Sequence, residues 1–264
     1  MPPYFSLADH QALQIAAAQP SDTQAVYAKL LELHQTLYRR MRDRAWDLHP
    51  HWDKTRLISS SSVSCQQGSE IEGFVLAYSR SREQAALVER LMGRDYAHAA
   101  ANADVTRHPS LELRLTPDAF AVELIISPSA WWDQRNLIGK LSIDRHRSAF
   151  RNMLTRMDAD FRFGFFEGCH LNDMHATGRQ LLRGKVLDEW MGTFADGQDY
   201  LRIGVWYTPE DESISEENIL AETLRRLEQL YALYGFIAWT GNNNYQSFYP
   251  RNGTVGNSRD QGYN

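Results

Sequence analysis

Two apolar alternations flanking one tight turn constrain this chain more than any other stretch. Leu111, Leu113 and Leu115 alternate with Glu112 and Arg114, Thr116-Pro117-Asp118-Ala119 follows, and Phe120, Val122, Leu124 and Ile126 alternate again before Ser127-Pro128. Strand side chains have a period of two and proline presets the backbone at the second position of a turn, so the segment predicts a β-hairpin. Counting outward from Pro117 and Asp118 sets Leu115 against Phe120, Leu113 against Val122 and Leu111 against Leu124 on one apolar face. The other face then sets Arg114 against Ala121 and Glu112 against Glu123. Opposed carboxylates repel unless a cation stands between them, and Arg114, diagonal to Glu123, is the candidate cation.

The segments around the hairpin supply the layers. Phe74 to Ser79 reads as a strand, Arg82 to Met92 as a helix stopped by Gly93, Ile143 to Met157 as a helix, and Phe161 to Glu167 and Tyr200 to Tyr207 as strands. A helical segment begins near Ala130, another lies within 179–192, and the polar stretch from His49 to Gly73 reads as loop with one short strand at Arg56 to Ser60. Ser21 and Gln24 form a capping box for a helix over Pro20 to Asp47; Ser213 and Glu216 form a second. After the second box, Leu220, Leu224, Leu227, Tyr231 and Tyr234 predict a helix of about six turns, with Glu222 and Arg226 paired on its outer face. The order strand, helix, hairpin, helices, strand predicts an α+β fold. Its mostly antiparallel mixed sheet has a split βαβ (ferredoxin-like) core, flanked by N-terminal helices and a long C-terminal helix. No Pro- or Gly-rich linker interrupts it, so residues 1–239 read as a single domain and 240–264 as a polar Asn/Gly-rich tail.

Two strands share a spacing that points to function. Phe161-Arg162-Phe163-Gly164-Phe165-Phe166 and Leu201-Arg202-Ile203-Gly204-Val205-Trp206 both read apolar, Arg, apolar, Gly, apolar, aromatic. Arg162, Gly164 and Phe166 share a face, as do Arg202, Gly204 and Trp206. A glycine inside a strand marks a close approach of backbone or ligand. Arg162, Arg202, Arg114, Glu112, Glu123, Phe166 and Trp206 therefore form a candidate ligand-binding face for a small anionic or planar molecule, or a protein partner. Paired Glu112 and Glu123 also suit a divalent metal or a shared proton, which makes a metal-dependent hydrolase the alternative. His49, His51 and Asp53, or Glu167, Cys169, His170, Asp173 and His175, offer further ligand types without an established spacing. A third reading is a scaffold subunit of an oligomer, its exposed apolar surface covered by other copies.

Composition removes other classes. A net charge of −5 over 264 residues gives no support to nucleic-acid binding. Of the 28 basic residues 24 are arginine, the side chain whose planar fork fits carboxylate and phosphate. No apolar run reaches the roughly 18 residues that span a bilayer, and Met1-Pro2-Pro3-Tyr4 lacks the start of a signal peptide, so no membrane association and a cytoplasmic location are expected. Two cysteines, Cys65 and Cys169, fit reduced thiols better than a disulfide framework. No Gly-x-Ser-x-Gly elbow surrounds the run Ser59 to Ser62, and neither Gly-x-Gly-x-x-Gly nor a Walker A sequence occurs, which argues against those familiar nucleotide folds but leaves other ways of holding a nucleotide open and the cofactor unknown.

Overall fold

In the computed structural model of the protein, the described residues are 1–13, 20–50, 57–60, 63–64, 70–71, 73–93, 104–167, 170–171, 175–195 and 197–248. The helices are α1 (Leu7–Gln11), α2 (Pro20–Asp43), α3 (Arg82–Leu91), α4 (Trp131–Leu141), α5 (Asp144–Leu154), α6 (Gly178–Leu181), α7 (Val186–Gly192) and α8 (Ile219–Ile237). The strands are β1 (His49–Pro50), β2 (Ile58–Ser60), β3 (Val63–Ser64), β4 (Glu70–Ile71), β5 (Phe74–Ser79), β6 (Ser110–Leu115), β7 (Phe120–Ile126), β8 (Arg162–Glu167), β9 (His170–Leu171), β10 (Ala176–Thr177) and β11 (Tyr200–Tyr207). One sheet runs β1-β5-β6-β7-β11-β8-β10, with β2 also on β5 and β9 also on β8; β3 and β4 form a separate pair. Every pairing among the described strands is antiparallel.

The fold is therefore α+β, with helices packed on an antiparallel sheet and a long helix last in the chain. The hairpin pairs residue by residue as its alternation requires, Glu112 facing Glu123 included. The strand order does not confirm a split βαβ core. That core needs β7 between β5 and β6, and β8 beside β5; here β5 pairs directly with β6, and β11 separates β7 from β8. Side-chain size accounts for the observed neighbour. Pairing β5 with β6 puts Leu76 and Tyr78 on the apolar face and small Val75 and Ala77 beside Arg114 and Glu112, where bulk would crowd the charges.

Leu111, Leu113, Phe120, Val122, Leu124, Leu201, Ile203 and Phe163 form one buried core with Leu30, Leu37 and Met41 of α2 and Leu227, Leu230 and Leu233 of α8. Val75, Ala77, Ala121 and Ile125 on the second sheet face are also buried but stand outside that core.

Element ends show where local chemistry overrode the pattern. α2 stops at Asp43, and Ala45 adopts a positive φ of 54° within the turn that follows. The helical stretch after Thr177 is two short helices, interrupted at Gly184, whose φ is 46°. Ser213 does not cap α8. It lies in a 3₁₀ turn capped by Asp211, and α8 begins at Ile219. Arg226, expected outside, is buried: its guanidinium contacts Glu222, Asp160 and the Tyr207 hydroxyl.

Candidate functional site

Four of the seven candidate residues form one connected ion-pair group on the second sheet face. Glu123, fully buried at the centre of β7, accepts from Arg202 of β11 through both carboxylate oxygens, with Nε at 3.1 Å and Nη2 closer still. Arg114 Nη2 donates to Glu112 Oε2 at 2.7 Å, and its Nε lies 3.6 Å from Glu123 Oε2. Ser110 Oγ donates to the other Glu112 oxygen at 2.7 Å. The repulsion that the Glu112–Glu123 register imposes is thus offset by two guanidinium groups, and the quartet is neutral as a whole. Burial pulls the Arg202 guanidinium below its ordinary pKa; Glu123 opposes that shift and nearby Arg114 adds to it.

Gly204 explains the spacing of Arg202 and Trp206. It faces Glu123 across the ladder, and a Cβ added there would lie 2.7 Å from the Val122 carbonyl oxygen and 2.9 Å from Glu123 Cγ. The missing side chain is the passage through which the Glu123 chain crosses toward Arg202. It also leaves room along β11. Four strand residues span about 13 Å, yet the Arg202 guanidinium carbon lies 5.4 Å from the Trp206 ring centroid because nothing stands between them. The close approach expected at this glycine is that of a neighbouring strand and its side chain.

Arg162 occupies the position across from Gly204 on the other side, on β8, and is exposed; Trp206 is half-buried. Phe166 is described in its backbone alone, opposite Tyr200. The structure therefore brings Arg202, Arg114, Glu112, Glu123 and Trp206 into contact and leaves Arg162 facing solvent at the margin of the group. Both carboxylates, proposed above for a metal or a shared proton, spend their oxygens on guanidinium and hydroxyl donors.

The histidine clusters are dispersed or undescribed. His49 pairs with Asp47 at 3.2 Å and His175 is exposed, while His51, Asp53, Cys65, Cys169 and Asp173 lie outside the described residues, as do the side chains of Glu167 and His170. Among the described residues no three His, Cys, Asp or Glu side chains converge as a metal site.

A second polar group was not legible as a unit in the sequence. Asp133, Gln134, Asn136 and Lys140 of α4 are all buried. Asp133 Oδ1 accepts from Arg80 Nη2 at 3.1 Å and from the Trp239 amide at 2.6 Å, while Arg80 Nη1 donates to the Trp239 carbonyl at 2.9 Å. Gln134 donates to the carbonyls of Ser127 and Asp199 and accepts from the Gly197 amide. Burial raises the Asp133 carboxyl to about 6 against the pull of Arg80, and lowers the Lys140 ammonium to about 8 against the pull of Asp133. Trp131 and Trp132 stack on each other at 4.2 Å with Trp131 partly exposed. The signal available beforehand was the step of three and four from Asp133 to Asn136 to Lys140, which places three polar side chains on one helix face.

No helix of the described residues is long and apolar enough to cross a membrane. No family model matches the chain, and no curated protein matches it.

Proposed function

We propose that the protein is a binding protein that receives a small anionic or planar ligand on the second sheet face, with Arg162 as the anion-holding cation and Trp206 as the ring platform. One observation carries this reading: an exposed guanidinium sits directly across Gly204 from a quartet whose own charges are already neutralised. The quartet then acts as scaffold. Arg202 fixes the Trp206 ring by stacking, and Glu123 fixes Arg202 through two hydrogen bonds, so the platform is ordered before a ligand arrives. Arg202 and Arg114 are assigned to this support, and the anion contact falls to Arg162 alone.

Thermal unfolding with benzoate, indole-3-carboxylate and AMP as probes tests the reading. A rise in midpoint with at least one probe in wild-type protein is expected to vanish in R162Q and to shrink in W206F, with the unliganded midpoints of both variants close to wild type. An R162Q protein that is stabilised as much as wild type, or a wild type indifferent to all three probes, refutes it. Adding zinc or manganese to the same assay tests the hydrolase alternative, which requires metal to raise the midpoint.

A further inference from the structure

Four arginines, Arg39, Arg40, Arg42 and Arg44, crowd the last turn of α2 and the residue just after it, and all four are exposed. Arg44 reaches the Arg40 carbonyl at 3.5 Å and lies 5.9 Å from the Trp46 ring centroid, and Trp46 stacks on Tyr231 of α8 at 4.9 Å. Among the described residues no carboxylate pairs with any of the four. Asp43 and Asp47 interrupt the run, but Asp47 is already engaged by His49 at 3.2 Å and by Gln84 Nε2. The end of a helix carries only about half a unit of negative charge, so the dipole leaves most of this positive charge unbalanced.

The other end of the same helical layer has the opposite character. Glu210, Asp211, Glu212, Glu216 and Glu217 place five carboxylates within eight residues that contain no lysine or arginine. Four are exposed, Asp211 caps a 3₁₀ turn, and none makes an ion pair among the described residues. The run is held in place: Ile214 and Ser215 are buried, the Ile214 carbonyl accepts from the Tyr4 amide at 3.1 Å, and the Glu216 amide donates to the Pro2 carbonyl at 3.1 Å. Two hydroxyl contacts set its distance from the arginines. The Tyr4 hydroxyl donates to the Lys29 carbonyl at 2.9 Å, and the Tyr231 hydroxyl accepts from the Asp47 amide at 3.0 Å, so the two patches sit at opposite ends of α2. From Lys29 to Arg39, the nearest of the four, the helix rises about 15 Å. That is nearly twice the Debye length of about 8 Å at physiological ionic strength, so the patches do not neutralise each other within one chain.

We infer that the arginine end of α2 is a docking surface for a second copy of this chain, which it grips by the acidic run 210–217. Guanidinium forks take carboxylates two oxygens at a time, and each copy carries both halves of the contact. Two copies related by a two-fold axis make it twice and close as a dimer. Screening removes the general repulsion between two chains of net charge −5 beyond about 8 Å, and at contact the local charges of opposite sign decide. Exposed ion pairs alone contribute little. Trp46, half-buried beside the arginines, and Leu7, 53% exposed three residues after Tyr4, supply apolar contact at the two ends. The inference stands independently of the ligand proposed above and gives the oligomer reading a specific surface.

Sedimentation velocity of the full chain tests the contact directly. At about 100 μM protein and about 50 mM salt the wild type is expected to sediment as a dimer, and raising the salt to about 500 mM weakens the association by about tenfold or more. R39E/R40E/R42E and E210K/E212K/E216K are each expected to be monomeric at low salt, with circular dichroism close to wild type. Mixing the two reversed variants restores the dimer, as does carrying all six substitutions in one chain. R39Q/R40Q/R42Q adds no negative charge to the helix end and weakens association by about tenfold or more, which keeps the test open if a reversed variant misfolds. A wild type that is monomeric at low salt, including one that binds heparin or phosphatidylserine vesicles instead, overturns the inference. So does association indifferent to salt, or well-folded reversed variants that stay apart when mixed.

Discussion

Replacing Glu123 by glutamine should separate a structural quartet from loose surface charges. Glu123 is fully buried and Arg202 is 95% buried, so neither can turn to water when the other is neutralised. With an effective dielectric of about 20, unit charges 3.1 Å apart attract by about 5 kcal/mol, and the amide keeps one acceptor worth about 1 kcal/mol. Arg114 loses little, since Glu112 holds it at 2.7 Å. The net cost of E123Q is therefore about 3–5 kcal/mol, the range typical of stranding one partner of a buried pair. For a chain of this size that corresponds to a fall in Tm of roughly 6–20 °C. Urea unfolding followed by circular dichroism measures it, with R202M as the reciprocal variant. The double replacement E123L/R202M removes both charges together and should recover most of the loss, because a well-packed apolar pair is about as stable as a buried ion pair. An E123Q variant within 1 kcal/mol of wild type would mean that Arg202 finds water or another acceptor, and the quartet would no longer explain the second sheet face.

Other variants follow from single contacts. G204A should cost about 1–3 kcal/mol through overpacking, since its Cβ meets the Val122 carbonyl oxygen at 2.7 Å; urea unfolding decides, and a neutral result would mean that β7 and β11 part easily. G139A should displace the Tyr245 ring, read as faster exchange of the Tyr245 amide with the core unchanged. His34, stacked between Tyr38 and Tyr78 and bonded to the Tyr78 hydroxyl at 2.9 Å, is held below its ordinary pKa by burial. The unfolded chain therefore takes up a proton first as pH falls below about 6.5, and stability drops with it; H34Q should flatten that part of the stability–pH curve. Any shift of the melting midpoint by micromolar zinc or manganese should persist in E112Q, because the Glu112 and Glu123 oxygens are already held by guanidinium and hydroxyl donors that a metal must first displace.

The hairpin, its opposed Glu112 and Glu123 and the diagonal Arg114 were legible because they follow from one rule, the two-residue period of a strand; the addition of Arg202 to that group was not, since it depends on β11 lying beside β7. Leu111 to Leu115 and Phe120 to Ile126 fix their own register, and the Arg-x-Gly-x-aromatic spacing fixes which residues share a face. The neighbour of each strand was not legible. Nothing local in Phe74 to Ser79 or Tyr200 to Tyr207 says which edge it joins, and that choice depends on side chains up to a hundred positions away, such as the fit of Ala77 beside Glu112. Gly204 was read correctly as a close approach, but its visitor is Glu123 on the next strand. The α4 polar group stayed hidden for a related reason: most of its partners are backbone groups of residues 126–127, 197–199 and 236–245, and a backbone carbonyl has no letter in the sequence.

That arrangement fixes how the last helix fails. A peptide of α8 alone carries its own apolar stripe but none of the donors that close its final turn, since Asn136 and Lys140 reside on α4 and Asn243 downstream. Trimming the chain at Ala238 would strip Asn243 from the Gly235 carbonyl and leave Lys140 and Asp133 sealed against missing neighbours. Fraying would then start at Ile237 and run inward, so purification tags and fusion partners belong beyond Phe248 or at the other terminus.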